Sequence, residues 1–154
     1  TADHMLGDLA SSTDALGHTA TYPKYDRNGR LLKAIDANGV STEYTYHVRG
    51  WLTQVQRTAQ GATTSEVASY EYWPTGLLKK ATQPDGTWAA YTYDAAHRLT
   101  DVADNQGNSV HYTLDAMGNR TQEDYKDPSG TLRRTITRVI DALNRVQTVS
   151  GAPL

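Results

Sequence analysis

The sequence predicts an all-β protein: tandem antiparallel β-hairpins that form one continuous, curved meander sheet. Three observations predict it. A four-residue pattern with Asp first and Gly last returns along the whole chain. Tyrosines recur two residues apart, which places both rings of a pair on one face of a strand. No stretch keeps apolar residues at i, i+3 and i+4 over a helical length.

The turn pattern opens as a doublet in "YDRNGRLLKAIDANG", residues 25–39, with Asp26 leading to Gly29 and Asp36 to Gly39. It recurs at Asp14–Gly17, Asp104–Gly107, Asp115–Gly118 and Asp127–Gly130. Two near copies, Asp94–His97 and Asp141–Asn144, end in residues that tolerate a left-handed backbone. Three more, "HVRG", "WPTG" and "QPDG", place Gly50, Gly76 and Gly86 last without the leading Asp. Each reads as a type I turn. The carboxylate accepts hydrogen bonds from the turn's own amides, and Pro74, Pro84 and Pro128 stand second, where φ near −65° is wanted. A left-handed fourth residue then closes a hairpin.

The register between turns is a repeat. Aligned on the residue before each leading position, Tyr25, Tyr46, Tyr72, Tyr93, Leu114 and Ile140 are separated by steps of 21, 26, 21, 21 and 26. An earlier copy fits the same frame from Asp3. Six residues further on in each copy stand Leu31, Leu52, Leu78, Leu99, Arg120 and Val146. Self-similarity at such a period marks a repeat architecture, here two short strands and two turns per period. Tyr44 and Tyr46, Tyr70 and Tyr72, Tyr91 and Tyr93, and Tyr112 and Leu114 flank polar Thr45, Glu71, Thr92 and Thr113, as a half-covered strand requires. Both longer steps carry their extra residues around the second turn, in 58–67 and 125–134. Two features strain the pattern. Arg120 stands in a leucine slot, where its aliphatic stem can lie on the apolar face with the head in water. Val55, Val102 and Val149 fall on the wrong parity unless each strand carries a bulge.

Composition agrees and excludes several functions. Leu, Ile, Val and Phe make up 25 of 154 residues, yet net charge is −2 and Tyr and Thr are abundant, so a β structure is expected rather than disorder. Neither charge nor basic clustering argues for nucleic acid or an anionic membrane. No apolar run is long enough to span a membrane, and the first ten residues carry no signal-peptide pattern. With no cysteine there is no disulfide framework and no thiolate zinc site.

At "YDRNGRL" and "YDAAHRL", with trailing "DANG", "QPDG" and "DNQG", the chain resembles the YD repeats of rearrangement-hotspot (Rhs) proteins. The same repeats occur in the C component of insecticidal Tc toxin complexes and in animal teneurins. The resemblance covers essentially the whole chain, and the style of the sequence is bacterial. It implies a segment of a β-shell in which YD hairpins coil into a hollow wall. Such a wall encapsulates a toxic C-terminal effector domain until delivery, often by a type VI secretion machine. The implied partners are the remainder of the shell and the enclosed toxin, and the implied location is secreted, delivered to a target cell, or cytoplasmic before delivery. Residues 1–154 are expected to be a single array of about six to seven repeats, truncated at both ends, since the family's self-cleavage motif is absent and the strands are too few to close a container.

The structural residues of the array are Tyr25, Asp26, Gly29, Leu31, Asp36, Gly39, Tyr46, Gly50, Leu52, Tyr72, Gly76, Leu78, Tyr93, Asp94, Leu99, Asp104, Gly107, Asp115 and Gly118. No catalytic, metal or cofactor residues are assigned, and the chain is not expected to be an enzyme. His4, His18, His47, His97 and His111 have no helical metal spacing, and His97 is better explained as a left-handed turn residue. Single turn carboxylates do not make a calcium loop. Ser109 and His111 share a strand face but lack a nucleophile elbow. An alternative function is recognition of carbohydrate or a partner through Trp51, Trp73 and Trp88, which lie at or beside turns. Regular recurrence of Tyr favours packing; a binding site needs one repeat to differ. Unpaired terminal strands predict self-association.

Overall fold

The structure, a computed structural model, describes residues 7–153. The repeat copy framed on Asp3, and His4, lie outside the described residues. Thirteen strands and no helix are found among the described residues, and strand order follows chain order throughout. The chain is therefore an all-β antiparallel meander, as its turn spacing predicts.

Two compact units divide the chain, residues 1–70 and 71–154. The first holds β1 (Ser11–Thr13), β2 (Thr19–Tyr25), β3 (Leu31–Ile35), β4 (Ser41–Tyr46), β5 (Leu52–Thr58) and most of β6 (Glu66–Tyr72). The second holds β7 (Leu78–Thr82), β8 (Trp88–Tyr93), β9 (Leu99–Asp104), β10 (Ser109–Leu114), β11 (Arg120–Lys126), β12 (Leu132–Ile140) and β13 (Val146–Pro153). The two longer steps are absorbed differently. In the first unit the extra residues form the 59–65 loop. In the second the turn stays short and the strands lengthen, to nine residues in β12.

Register explains the parity of the apolar residues. Tyr46 lies opposite Leu52, Thr45 opposite Gln54 and Tyr44 opposite Val55, so Thr53 is an extra residue on β5. The same bulge occurs between β8 and β9, where Tyr93 faces Leu99 and Tyr91 faces Val102. Between β10 and β11, Leu114 faces Arg120 and Tyr112 faces Glu123. The extra residue returns the second apolar position to the tyrosine face. In these three hairpins it is a threonine, Thr53, Thr100 or Thr121, whose hydroxyl donates to the carbonyl of Thr45, Thr92 or Thr113 at 3.1–3.2 Å.

The two faces of the second unit differ in chemistry. One carries Tyr91, Tyr93, Leu99, Val102, Val110, Tyr112 and Leu114. The other carries Thr92, Asp101, His111, Asp124 and Thr135, with His111 Nδ1 2.7 Å from Asp101 Oδ1. No apolar side chain among the described residues is buried, because hairpins joined edge to edge leave both faces open. Stability then comes from ladder hydrogen bonds and cross-strand pairs, each pair contributing on the order of 0.2–1 kcal/mol. Among the described residues the one buried side chain is that of Glu123, with the residue 6% exposed.

Candidate functional site

The regular feature of the molecule is its turn. Among the described residues, eleven turns share one pattern: the fourth amide donates to the first carbonyl, and the first amide donates to the carbonyl of the fifth residue. Tight closure of this kind needs a left-handed fourth residue. Gly29, Gly39, Gly50, Gly76, Gly107 and Gly118 supply it with φ between 75° and 91°, and His97 and Asn144 do so at 64° and 65°. Tyr25, Tyr46, Tyr72 and Tyr93 end the strands that enter these turns, and Leu31, Leu52, Leu78 and Leu99 begin the strands that leave them.

A leading aspartate adds a second ring of bonds. Asp26 Oδ1 accepts from the amides of Asn28 and Arg30 at 2.8 and 3.0 Å. Asp36, Asp94, Asp104 and Asp115 repeat this with the amides two and four residues on, at 2.9 Å. The other carboxylate oxygen takes the fifth residue's side chain: Arg30, Arg98 and Arg145 through Nε, Asn108 and Asn119 through Nδ2. Hydrogen bonds hold the carboxyls of Asp26, Asp94, Asp104, Asp115 and Asp141 below the usual range. For Asp26 and Asp94 the foremost is the backbone amide of Arg30 or Arg98; for Asp104 and Asp115 it is the side chain of Asn108 or Asn119. Asp127 is lowered to about 2, chiefly by the Ser129 hydroxyl and with help from Arg133.

The fifth residue also ties neighbouring turns together, a role the Asp-to-Gly pattern does not reveal. Arg98 Nη1 donates to the carbonyl of Asp115 at 2.9 Å, and Asn119 Nδ2 to Asn144 Oδ1 at 2.5 Å. In the first unit Arg30 Nη1 reaches the carbonyl of His47 at 3.5 Å. "GRL", "HRL" and "GNR" hold the signal for this: Arg or Asn directly after the left-handed residue.

Each of the three tryptophans has its own surroundings. Trp51 stacks on His47 with centroids 5.1 Å apart and has the Arg49 guanidinium 5.4 Å from its ring. Trp73 begins a turn, gives its indole N–H to the carbonyl of Tyr91 at 3.2 Å and carries the Lys79 ammonium 5.2 Å away. Trp88 starts β8 at the opposite end of the strands, with Lys80 at 4.7 Å. A groove of about 420 Å³ lies beside Trp73, lined by Pro74, Leu77, Tyr93, Asp94 and His97.

One repeat departs from the others. Where the neighbouring copy has Leu99 and Val102, this one has Arg120 and Glu123 on the tyrosine face. Tyr125 Oη donates to Glu123 Oε2 and Arg138 Nη1 to Oε1, both at 2.7 Å. Burial pushes the Glu123 carboxyl up, but these two donors outweigh it and hold the carboxyl below its ordinary value. Arg120 places its guanidinium 4.0 Å above the Tyr112 ring, so its head lies on the aromatic face. Among the described residues no helix is long and apolar enough to cross a membrane, which says nothing of strands.

Tandem hairpins with a common turn, each held by its neighbours, define a repeat scaffold. The chain belongs to the RHS repeat family, which matches residues 25–63, 72–108 and 93–132. Among solved structures it is similar to the crystal structure of TcdB2-TccC3, with TM-score 0.76 and 20% identity over 86% of this chain. The crystal structure of TcdB2-TccC3-Cdc42 gives TM-score 0.64 and 16% identity over 88%. A Photorhabdus luminescens Tc holotoxin pore with a TccC3 mutation gives 0.63 and 16% over 88%. At these identities the likeness is one of fold. The chain spans 7–9% of the length of those chains. No curated protein matches the sequence.

Proposed function

We propose that the chain is a wall segment of an RHS shell, without catalysis of its own, that encloses a toxic C-terminal effector domain until delivery. One observation carries this reading. An apolar sheet face needs a covering layer, and the tyrosine face of the second unit is left half-exposed, with no apolar side chain among the described residues buried. A curved wall whose lining meets other shell strands or an enclosed domain supplies that layer. Family membership and the likeness to TcdB2-TccC3 support the same reading. The mechanism is steric: the ladder excludes proteases and solvent traffic from what it surrounds, and secretion machinery carries the closed assembly out of the cell.

The test is limited proteolysis of the full-length parent protein. The domain beyond the repeats is expected to resist digestion in the intact assembly and to become sensitive once denaturant loosens the strands. Equal digestion rates for the enclosed and the separately expressed domain would sink the reading. The wall also requires strand-to-strand continuation, so the outer edge of β13 is proposed to pair with further repeats and, in the isolated chain, with a second copy. Sedimentation that shows only monomer at high concentration contradicts this.

Carbohydrate recognition is a second reading, supported by the groove beside Trp73. Its expected result is calorimetric heat with oligosaccharides that Trp73→Ala abolishes. Absence of heat across a sugar panel removes it.

A further inference from the structure

The repeat that breaks the pattern sits on the tyrosine face of β10, β11 and β12. Its cations are Arg120 on β11 and Arg134 and Arg138 on β12, neighbouring strands about 4.8 Å apart. Register places Arg134 opposite Tyr125 and Ile136 opposite Glu123, so Arg138 lies on the same face. Glu123 is the one carboxylate among them. It is committed to Arg138 and Tyr125, and its burial fixes that ion pair in place.

Arg120 and Arg134 are exposed and, among the described residues, ion-paired to nothing. Each rests over a ring instead, Arg120 at 4.0 Å from Tyr112 and Arg134 at 6.0 Å from Tyr125. This contrasts with Arg30, Arg98, Arg133 and Arg145, which all neutralise turn aspartates. A guanidinium held over an aromatic face by a cation–π contact still has N–H groups to offer a further partner, and they match a carboxylate in two-point geometry. Around the cations stand half-buried Val110, Leu114 and Ile136.

We propose that this surface docks a polypeptide segment that presents Asp or Glu carboxylates within an apolar strip. The carboxylates meet Arg120 and Arg134, and the strip covers Val110, Leu114 and Ile136. Glu123 acts as a positioning residue that holds Arg138 and Tyr125 so the site keeps its shape. A phosphate-rich partner fits less well, since Glu123 lies amid the cations and the chain as a whole carries net charge −2. The inference deepens the shell reading by naming the chemistry of what covers this face, and a failed peptide titration beside a protected domain in the proteolysis test would remove it and leave the shell reading standing.

The experiment measures fluorescence anisotropy of a labelled short peptide of leucine pairs alternating with glutamate pairs, which puts both residue types on one face of an extended strand, titrated with the 154-residue chain. Saturable binding that weakens with salt is expected, and the same peptide with glutamine for glutamate should not bind. Arg120→Leu, which restores the leucine of other repeats, and Arg134→Gln should each lower affinity about tenfold. Lys126→Gln, on the opposite face, should leave it unchanged. Circular dichroism verifies that each variant is folded, and Arg134→Gln serves if Arg120→Leu does not fold. Equal binding of the glutamine peptide, unchanged affinity in both arginine variants, or tighter binding of an oligothymidylate would overturn the proposal.

Discussion

The hairpins β8–β9 and β10–β11 have the same backbone and different faces. Both close with a leading aspartate and a left-handed fourth residue, His97 in one and Gly118 in the other. Both carry the extra threonine, Thr100 or Thr121, hydrogen-bonded to the strand opposite. On the tyrosine face an apolar residue gives way to a charged one at two positions: Leu99 and Val102 in the first become Arg120 and Glu123 in the second. The turn and the bulge define the hairpin, and the face positions between them are free to change chemistry. A scaffold built this way can vary its lining without altering its frame.

The largest expected effect breaks both hairpins together. The carboxyls of Asp94, Asp115 and Asp127 are lower in the folded chain than in an unfolded one. Their stabilisation is therefore complete above the ordinary aspartate range near 4 and lost as pH falls through the folded values. Circular dichroism should show the strand signal collapsing between about pH 4 and about 2, with Asp127 among the last to protonate. A fold intact and equally resistant to urea at both ends of that window would contradict it.

Glu123→Ala separates the hairpins next. It strands the Arg138 guanidinium beside a partly covered face and should cost about 3 kcal/mol, against about 1 kcal/mol for Val102→Ala at the matching position. Glu123→Leu combined with Arg138→Met should recover most of that loss, since an apolar pair suits the site as well. Urea melts of the three variants measure the difference. If Glu123→Ala melts with wild type, the ion pair contributes nothing.

Glycine substitutions give a smaller contrast. Gly107 and Gly118 have φ near +88° and +89°, but a Cβ on Gly107 meets Pro128 at 3.1 and 3.2 Å, whereas on Gly118 it meets only Arg98 Cδ at 3.6 Å. Gly107→Ala should cost about 2 kcal/mol and Gly118→Ala about 1 kcal/mol. Reversed order in thermal melts would show that Pro128 yields freely. The smallest change, about 0.5 kcal/mol, is expected from Thr121→Val and equally from Thr100→Val, each of which deletes one hydroxyl-to-carbonyl bond.

The meander was legible in the sequence because turn and strand each leave a local mark: Gly, Asn or His where φ is positive, and Tyr at alternate positions. The bulge was legible through a contradiction, the off-parity Val55 and Val102, which an extra residue resolves. Four features needed the structure. The fifth-residue Arg or Asn reads as ordinary surface polarity until its bonds to two turns are seen. The partner of Glu123 stands fifteen residues away on another strand, a distance that no local pattern encodes. Arg120 is visible as an outlier, yet its perch over Tyr112 depends on cross-strand register. The division of the two long steps into one loop and one pair of longer strands likewise depends on which residues keep pairing.

The hydroxyl of the extra threonine has a consequence for assembly. A long zigzag of similar hairpins is exposed to phase errors, since sliding one strand by a single residue still permits a ladder while turning every tyrosine to the wrong side. Thr53, Thr100 and Thr121 each meet their carbonyl in only one alignment. Each of these hairpins thereby carries a small preference for its own phase that is local and does not rest on the hairpin before it.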